Sequence, residues 1–437
     1  IKKIESNDEI LENILCEHKN LDEITVLMED IVKHTKSKIH ALFLTQEVSC
    51  WPSLESVFAA VQHSKEYEFS LVYTPYSHVN ATEQTDHFDT YRKMGLPVQR
   101  HNEYDLIGQS PDIVFVTKPY GNIPEVYQIH NLELVIPRVI YIPYGMEITT
   151  DLIKYGFQYY THYRAWKHCA YGEIVKEYGA RYGYRNGENI AVWGHPKADH
   201  YLTSNNNRIM IPQEWHEKIR NRKVILWTPH HLIDLNSRGT GTWLIWGERI
   251  LKAAIKHPEV CFIFRPHPLM LGALVNSNSM SQREVERLII KIESADNIIY
   301  DTNASYHYAF DTADAIITDG TTFSVEFLYT KKPILLTPRN MEGFYFYQEM
   351  LNSYYIVTRE RDILEFIEMV RDGKDPLREK RIALHDKIFF LPQVGTVGEH
   401  ILNEIKKELK SECEDIKMST LSTREDLHFK TEMDFNE

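Results

Sequence analysis

The sequence predicts an α/β protein made of two Rossmann-like halves, each a parallel sheet covered by helices, facing one another across a cleft. Three observations predict it. Apolar runs of strand length alternate with stretches of helical period along most of the chain. Two such series follow one another, divided by the polar stretch Asn205-Asn206-Asn207. At 437 residues there is enough chain for two ordinary cores.

In order, residues 7 to 36 carry apolar positions at helical spacing (Ile10, Leu11, Ile14, Leu15, then Ile24, Leu27, Met28, Ile31) and read as N-terminal helices over 1–36. The first half, 37–204, has expected strands at Ile39 to Thr45, Phe69 to Tyr73, Ile113 to Thr117, Val139 to Ile142 and Ile190 to Trp193. Helical stretches separate them, among them Leu54 to His63 and Ala165 to Tyr182. The second half, 205–410, has expected strands at Val224 to Thr228, Val260 to Phe264, Ile298 to Tyr300, Ala315 to Thr318, Ile334 to Thr337 and Tyr354 to Val357. Its helices include Trp243 to Lys256, Arg283 to Glu293 and Arg361 to Arg371, and two more close the chain at about Pro376 to Phe389 and Val397 to Leu409. The stretch 411–437 holds eight acidic and three basic residues with few apolar ones, and reads as an acidic disordered tail.

Composition narrows the function classes. The hydrophobic fraction is 43% and the charged fraction 25%, as in soluble globular proteins. A net charge of −13 argues against general nucleic-acid binding. Five scattered cysteines suggest a reducing compartment rather than a disulfide framework. No apolar run approaches bilayer length and no signal peptide is apparent, so the expected location is cytoplasmic.

In parallel α/β sheets ligands bind beyond the carboxyl ends of the strands, and the residues there are informative. The central stretch is Ile316 to Pro338. A strand ends in Asp319-Gly320-Thr321-Thr322, a short helix follows, and Lys332-Pro333 delivers the next strand. Free backbone N–H groups, the hydroxyls of Thr321, Thr322 and Ser324, and the helix dipole converge on a spot suited to phosphate. Glu326, one turn on, can accept hydrogen bonds from ribose. The same Thr residues also cap helices that bind nothing.

Arg265-Pro266-His267-Pro268 follows another strand. The flanking prolines restrict the backbone around His267, and both Arg265 and His267 suit phosphate oxygens. Thr228-Pro229-His230-His231 follows a third strand, where His230 or His231 either binds phosphate, moves a proton or is merely solvated. In the first half, strands lead into Glu47, Cys50 and Trp51, and into Pro143-Tyr144-Gly145-Met146-Glu147. Either Glu47 or Glu147 could act as a base toward an acceptor hydroxyl. Gly194-His195-Pro196-Lys197-Ala198-Asp199 reads as the turn at the domain crossing. There is no G-x-G-x-x-G, P-loop, H-E-x-x-H, G-x-S-x-G or D-x-D, and no metal-ligand spacing, so neither metal nor cofactor is expected.

Taken together, Arg265-Pro266-His267-Pro268, Thr318-Asp319-Gly320-Thr321-Thr322 with Glu326, and Lys332-Pro333-Ile334 resemble the CDP-glycerol glycerophosphotransferase family, which builds teichoic-acid and related capsule backbones. Tyr141-Ile142-Pro143-Tyr144-Gly145 and Gly194 to Asp199 match it more loosely, and the likeness spans roughly residues 40 to 400. The resemblance implies a GT-B architecture with a nucleotide-activated donor as substrate and no obligatory metal. It implies His267 against the donor pyrophosphate, with Arg265 and His267 stabilising the charge on the departing nucleotide. Thr228-Pro229-His230-His231 departs from the family's usual Pro-Thr, and His231 is a donor-binding candidate from its strand end alone. Asp319, Gly320, Thr321, Thr322 and Ser324 would cradle phosphate, and Glu326 would hold ribose.

It further implies a polymer or lipid-linked glycan acceptor, and peripheral association with the inner face of the plasma membrane. The family's usual His-Gly in the first-half loop is replaced by Tyr144-Gly145, and a Tyr of ordinary acidity is a poor base near neutral pH. The candidate catalytic groups are therefore His267, His230, Glu47 and Tyr144. Two further expectations stay open beside polyol-phosphate transfer: a glycosyltransferase using a nucleotide-sugar on the same scaffold, and a non-catalytic nucleotide- or glycan-binding module.

Overall fold

The computed structural model describes residues 38–77, 86–146, 156–203, 211–233, 240–319, 322–339 and 348–412. The expected N-terminal helices, the Asn205–Asn207 linker, Glu147, Gly320, Thr321 and most of the acidic tail lie outside them.

Two all-parallel sheets form. The first has seven strands: β1 (Ile39–Thr45), β2 (Tyr67–Tyr73), β3 (Val98–Arg100), β4 (Ile113–Val116), β5 (Val139–Tyr141), β6 (Lys167–Cys169) and β7 (Ile190–Ala191), in the order β3-β2-β1-β4-β5-β6-β7. The second has six: β8 (Lys223–Thr228), β9 (Val260–Phe264), β10 (Ile298–Tyr300), β11 (Ala315–Thr318), β12 (Ile334–Leu336) and β13 (Tyr355–Ile356), in the order β10-β9-β8-β11-β12-β13. Both are doubly wound. The order reverses between β1 and β4 in the first sheet and between β8 and β11 in the second, and those are the switch points where such sheets open a crevice.

The central strands read as near-continuous apolar runs because helices cover both their faces. All five residues of Val-Cys-Phe-Ile-Phe in β9 are buried, and Phe43 of β1 stacks on Phe115 of β4 with ring centroids 4.7 Å apart. One apolar cluster takes in Phe43 and Phe115 from the first sheet and Leu226, Ile263 and Ile316 from the second, so the two halves share a continuous core.

Every strand expected in the second half forms. The first half departs in two places. β3 and β6 have three residues each and no apolar run to announce them, and β6 (Lys-His-Cys) falls inside the stretch 165–182 expected to be helical. The helix there is confined to Glu173–Tyr182. In the second half a π-helical turn, Trp243–Gly247, opens the helix that continues as Glu248–Lys256.

The domain boundaries are also crossed twice rather than once. The closing helix, 397–412, leaves the second half and packs on the first. There the Tyr67 hydroxyl donates to the Leu402 carbonyl, Lys167 pairs with Glu408, and Arg138 and Trp166 both bond Glu412. Asp199, from the crossing turn, receives the N–H groups of Val397 and Gly398 at 2.8 and 3.1 Å, together with the Ser56 hydroxyl. A carboxylate on the open N–H groups of a helix start is a favourable cap. Among the described residues no helix is long and apolar enough to cross a membrane.

Candidate functional site at the switch point of the second sheet

Parallel pairing delivers the ends of β8, β9 and β11 to one edge of the second sheet. Thr228 of β8 lies directly beside Thr318 of β11. The next residues are Pro229-His230-His231 after β8, Arg265-Pro266-His267 after β9 and Asp319 after β11. Backbone bonds tie these loops together. The His267 N–H donates to the Pro229 carbonyl at 2.9 Å, and the His230 N–H donates to Asp319 Oδ2 at 2.9 Å. Asp319 Oδ2 also receives the Thr242 N–H at 3.1 Å.

The result is a cluster of three imidazoles. Ring centroids lie 4.3 Å apart for His230 and His231, 4.0 Å for His231 and His267, and 5.0 Å for His230 and His267, and each ring is half-buried. Ring nitrogens from the three come within 4.8 Å of one another, which is the donor type a transition metal takes. Their hydrogen bonds favour another use. His230 Nδ1 accepts the Leu232 N–H at 3.3 Å and His267 Nδ1 accepts the Leu269 N–H at 3.2 Å. A neutral ring whose Nδ1 accepts carries its proton on Nε2. Desolvation, and then the neighbouring His267 and His231, hold the His230 pKa well below its ordinary value, so that ring is neutral. His230 and His267 thus each offer an Nε2–H donor, suited to an anion, rather than a lone pair.

Three polar atoms at this edge have no protein partner among the described residues although they are buried: Thr228 Oγ1, Thr318 Oγ1 and Asp319 Oδ1. Buried polar groups are rarely left unmet, so a bound ligand or water belongs here. Burial pushes the Asp319 carboxyl up to about 7, against the opposing pull of the N–H groups of His230 and Thr242.

The structure brings most of the candidate residues together but gives several a different neighbour from the one expected. Arg265 is fixed by Asp301 at 2.6 Å and by the Asn303 carbonyl at 2.8 Å, so its charge is already matched by a fully buried carboxylate at the end of β10. Ser324 is wholly buried inside the helix Thr322–Glu326, away from solvent. Glu326 is also wholly buried. Its Oε2 binds Lys197 Nζ at 2.8 Å, and its Oε1 receives the Tyr306 hydroxyl and, at 3.4 Å, that of Tyr201. Contact with ribose requires one of these partners to give way.

On the facing side, Glu47 is paired with Lys118, whose ammonium lies 3.5 Å from the Tyr76 ring centroid. The Tyr144 hydroxyl is 3.4 Å from that of Tyr120. The two sides touch. A Cβ placed on Gly145 would sit 2.6 Å from Thr322 Cγ2, so only glycine lets the first-half loop approach the start of this helix so closely.

The crossing turn supports that loop from below. His195 Nδ1 accepts the Lys197 N–H at 3.3 Å, and its Nε2–H donates to the Pro143 carbonyl at 2.7 Å. Burial lowers the His195 pKa to about 4, which keeps the ring neutral. Gly194 has φ +86°, a left-handed conformation that only glycine adopts freely.

Lys197, Tyr306 and Asp301 escaped sequence reasoning. Lys197 stood in a quoted motif with no charge partner in sight, and the other two lie outside every motif. Their roles arise from contacts 129, 20 and 36 positions away along the chain.

The same architecture recurs among solved structures. UDP-GlcNAc 2-epimerase from Neisseria meningitidis bound to UDP-GlcNAc superposes with a TM-score of 0.58 at 14% identity, covering 84% of this chain and 100% of its own. The S. aureus MnaA–UDP structure gives 0.55 at 15%, covering 86% and 97%. A variant of the wall teichoic acid polymerase TagF gives 0.56 at 15%, covering 92% and 99%. These likenesses establish a two-domain GT-B-like fold. No curated protein matches the chain. The sequence profile described as CDP-Glycerol:Poly(glycerophosphate) glycerophosphotransferase matches residues 172–407, more than half of the chain and all three loops of the histidine cluster. The chain therefore belongs to the CDP-glycerol:poly(glycerophosphate) glycerophosphotransferase family, GT-B enzymes that transfer a nucleotide-activated polyol group onto a cell-surface polymer.

Proposed function

We propose that this chain transfers glycerol phosphate, or a similar polyol phosphate, from a CDP-activated donor to a hydroxyl of a teichoic-acid-like or capsular polymer. The observation that carries the reading is the convergence of two fixed Nε2–H donors, on His230 and His267, with unmet polar atoms at the switch point of the second sheet. That spot suits a diphosphate. His231, Asp319 and Thr322 complete the cradle, and the Arg265–Asp301 pair holds the His267 loop in place. Release of Glu326 from Tyr306 and Tyr201 would free an oxygen for ribose.

In this reaction the acceptor oxygen attacks the phosphorus that bears the polyol. The anhydride P–O bond breaks, a phosphodiester forms and CMP departs. Negative charge grows on the leaving phosphate, where His267 and His230 donate hydrogen bonds that strengthen as it develops. The acceptor proton goes to Glu47, whose carboxylate is held by its ion pair with Lys118, while Tyr144 and Tyr120 line the acceptor side. Because such polymers grow on lipid carriers, this reading puts the chain in the cytoplasm, in peripheral contact with the inner face of the plasma membrane.

The test is thermal stabilisation by CMP, CDP, CDP-glycerol, CDP-ribitol, UDP, GDP and nucleotide-sugars, followed by measurement of CMP release. A ligand that binds only the folded form raises Tm with its concentration over Kd. Selective stabilisation by cytidine compounds and CMP release dependent on acceptor are expected. Selective response to UDP or GDP compounds would instead make this a glycosyltransferase, and a response to none would overturn the phosphate cradle.

A further inference from the structure

We propose that a row of tyrosines leading away from Tyr144 is an acceptor track that binds a glycan by stacking sugar rings on phenol faces. The proposal rests on reading the first half as the acceptor side.

The row is two groups of ring contacts joined by the chain, the first starting at the site and the second lying farther out. The centroids of Tyr144 and Tyr120 are 6.5 Å apart, and those of Tyr120 and Tyr159 are 5.3 Å apart. Tyr160 follows Tyr159 in the chain and begins the helix Tyr160–Arg164. From there Tyr160 lies 5.4 Å from Tyr163, and Tyr163 lies 5.1 Å from Tyr184. The outer members face solvent: Tyr159 is 43% exposed, Tyr160 62% and Tyr184 69%. Exposed aromatic groups scattered singly need no explanation, but two adjoining groups of three tyrosines, the first beginning beside the site, do.

The chemistry of the row selects the ligand. Tyrosine supplies a wide, rigid apolar face at low entropic cost, with a hydroxyl at its edge. That combination matches the C–H face and hydroxyl rim of a sugar ring. A poly(polyol phosphate) chain has no such face and would need a line of free cations. Among the described residues, of the cations beside the row Lys118 is paired with Glu47, Arg164 Nε bonds Glu133 at 2.8 Å, and Arg185 donates to the Ala165 carbonyl at 3.3 Å. With the chain at −13 overall, the row fits a neutral or weakly charged glycan better than a polyanion or an anionic lipid surface. The enzyme would then act on a sugar-containing acceptor, and a glycosyl-transfer reaction must supply that acceptor.

The test uses the full chain with Tyr160→Ala, Tyr184→Ala and the double variant. Binding of N-acetylglucosamine, glucose and galactose oligomers of increasing length is measured by calorimetry, beside poly(glycerol phosphate) and phosphatidylglycerol vesicles. The expected result is that at least one sugar series binds more tightly as it lengthens. The double variant should weaken that binding by about tenfold or more while leaving nucleotide stabilisation intact. Three results overturn the proposal: no sugar series binds; sugar binding is unchanged in the double variant; or the double variant loses salt-sensitive poly(glycerol phosphate) or vesicle binding instead. Failure of the donor reading is seen separately, as absence of nucleotide stabilisation and CMP release, and leaves the glycan-binding result standing.

Discussion

Lys197 and Glu326 form an ion pair that is almost entirely buried, Nζ to Oε2 2.8 Å, joining the crossing turn of the first half to the helix after β11 in the second. The side chains are 3% and 1% exposed, so each charge depends on the other. Tyr306 and Tyr201 satisfy the remaining oxygen of the carboxylate.

Removing one partner should therefore cost more than removing both. Lys197→Met leaves a buried carboxylate uncompensated, a change that typically costs about 3–5 kcal/mol. The double variant Lys197→Met, Glu326→Leu should recover a large part of that loss. Urea unfolding of the four forms measures it as a double-mutant cycle. Additive losses, the double variant being destabilised by the sum of the two single variants, would mean the pair does not hold the halves together.

His267→Ala should lower kcat by about 10²–10³, the usual cost of losing a hydrogen-bond donor to transition-state charge. His267→Gln keeps an N–H donor and should retain more activity than the alanine variant. The ring is half-buried and its loop is fixed by backbone bonds to Pro229, so Tm should change little in either. CMP release under saturating donor checks this, and unchanged kcat in the alanine variant would remove His267 from the chemistry.

Gly145→Ala places a methyl group 2.6 Å from Thr322 Cγ2, closer than real contacts allow. The halves must separate locally, and kcat/KM should fall at least about tenfold, since small misplacements at a reacting centre are costly. Gly145→Ala with Thr322→Ser removes the clashing methyl group and should restore most of the loss. Absence of rescue would show that the close approach of these two loops has no bearing on turnover.

Asp319 gives a pH signature. Its folded-state pKa, about 7, lies above the unfolded value of 3.8, so the folded form holds the proton more tightly. Between those values the unfolded chain has lost the proton and the native one has not, and this group lowers stability as pH rises, by about 1.4 kcal/mol per unit. The cost is complete above pH 7 and vanishes below about pH 4. Asp319→Asn cannot ionise, so its Tm relative to wild type should rise from pH 5 to about pH 7 and level off above. Other titrating groups cancel in that difference, and a flat difference would mean Asp319 keeps an ordinary pKa.

Much of the architecture was legible in the sequence. The runs Val260 to Phe264 and Ala315 to Thr318 are apolar throughout because both faces of a central parallel strand are covered, and that pattern is local. The alternation of such runs with helical periods implies parallel sheets, and parallel sheets put strand-end residues at a crevice. His230, His267 and Asp319 could therefore be picked out from strand ends alone. β3 and β6 could not, because three residues held by neighbouring strands need no apolar run of their own.

What the sequence by itself determined is thus the periodic part of the protein: two doubly wound halves and the loops that end their strands. Only the tertiary structure decided which charges meet. Lys197 reads as a turn residue until packing sets it against Glu326, 129 positions on, and Arg265 reads as a free phosphate ligand until β10 brings Asp301 beside it. The physical reason is range. Periodicity and turn chemistry act over a few residues and leave a trace in the local sequence. A buried ion pair or a fixed imidazole tautomer depends on groups far apart in the chain, and those become neighbours only when the core is formed.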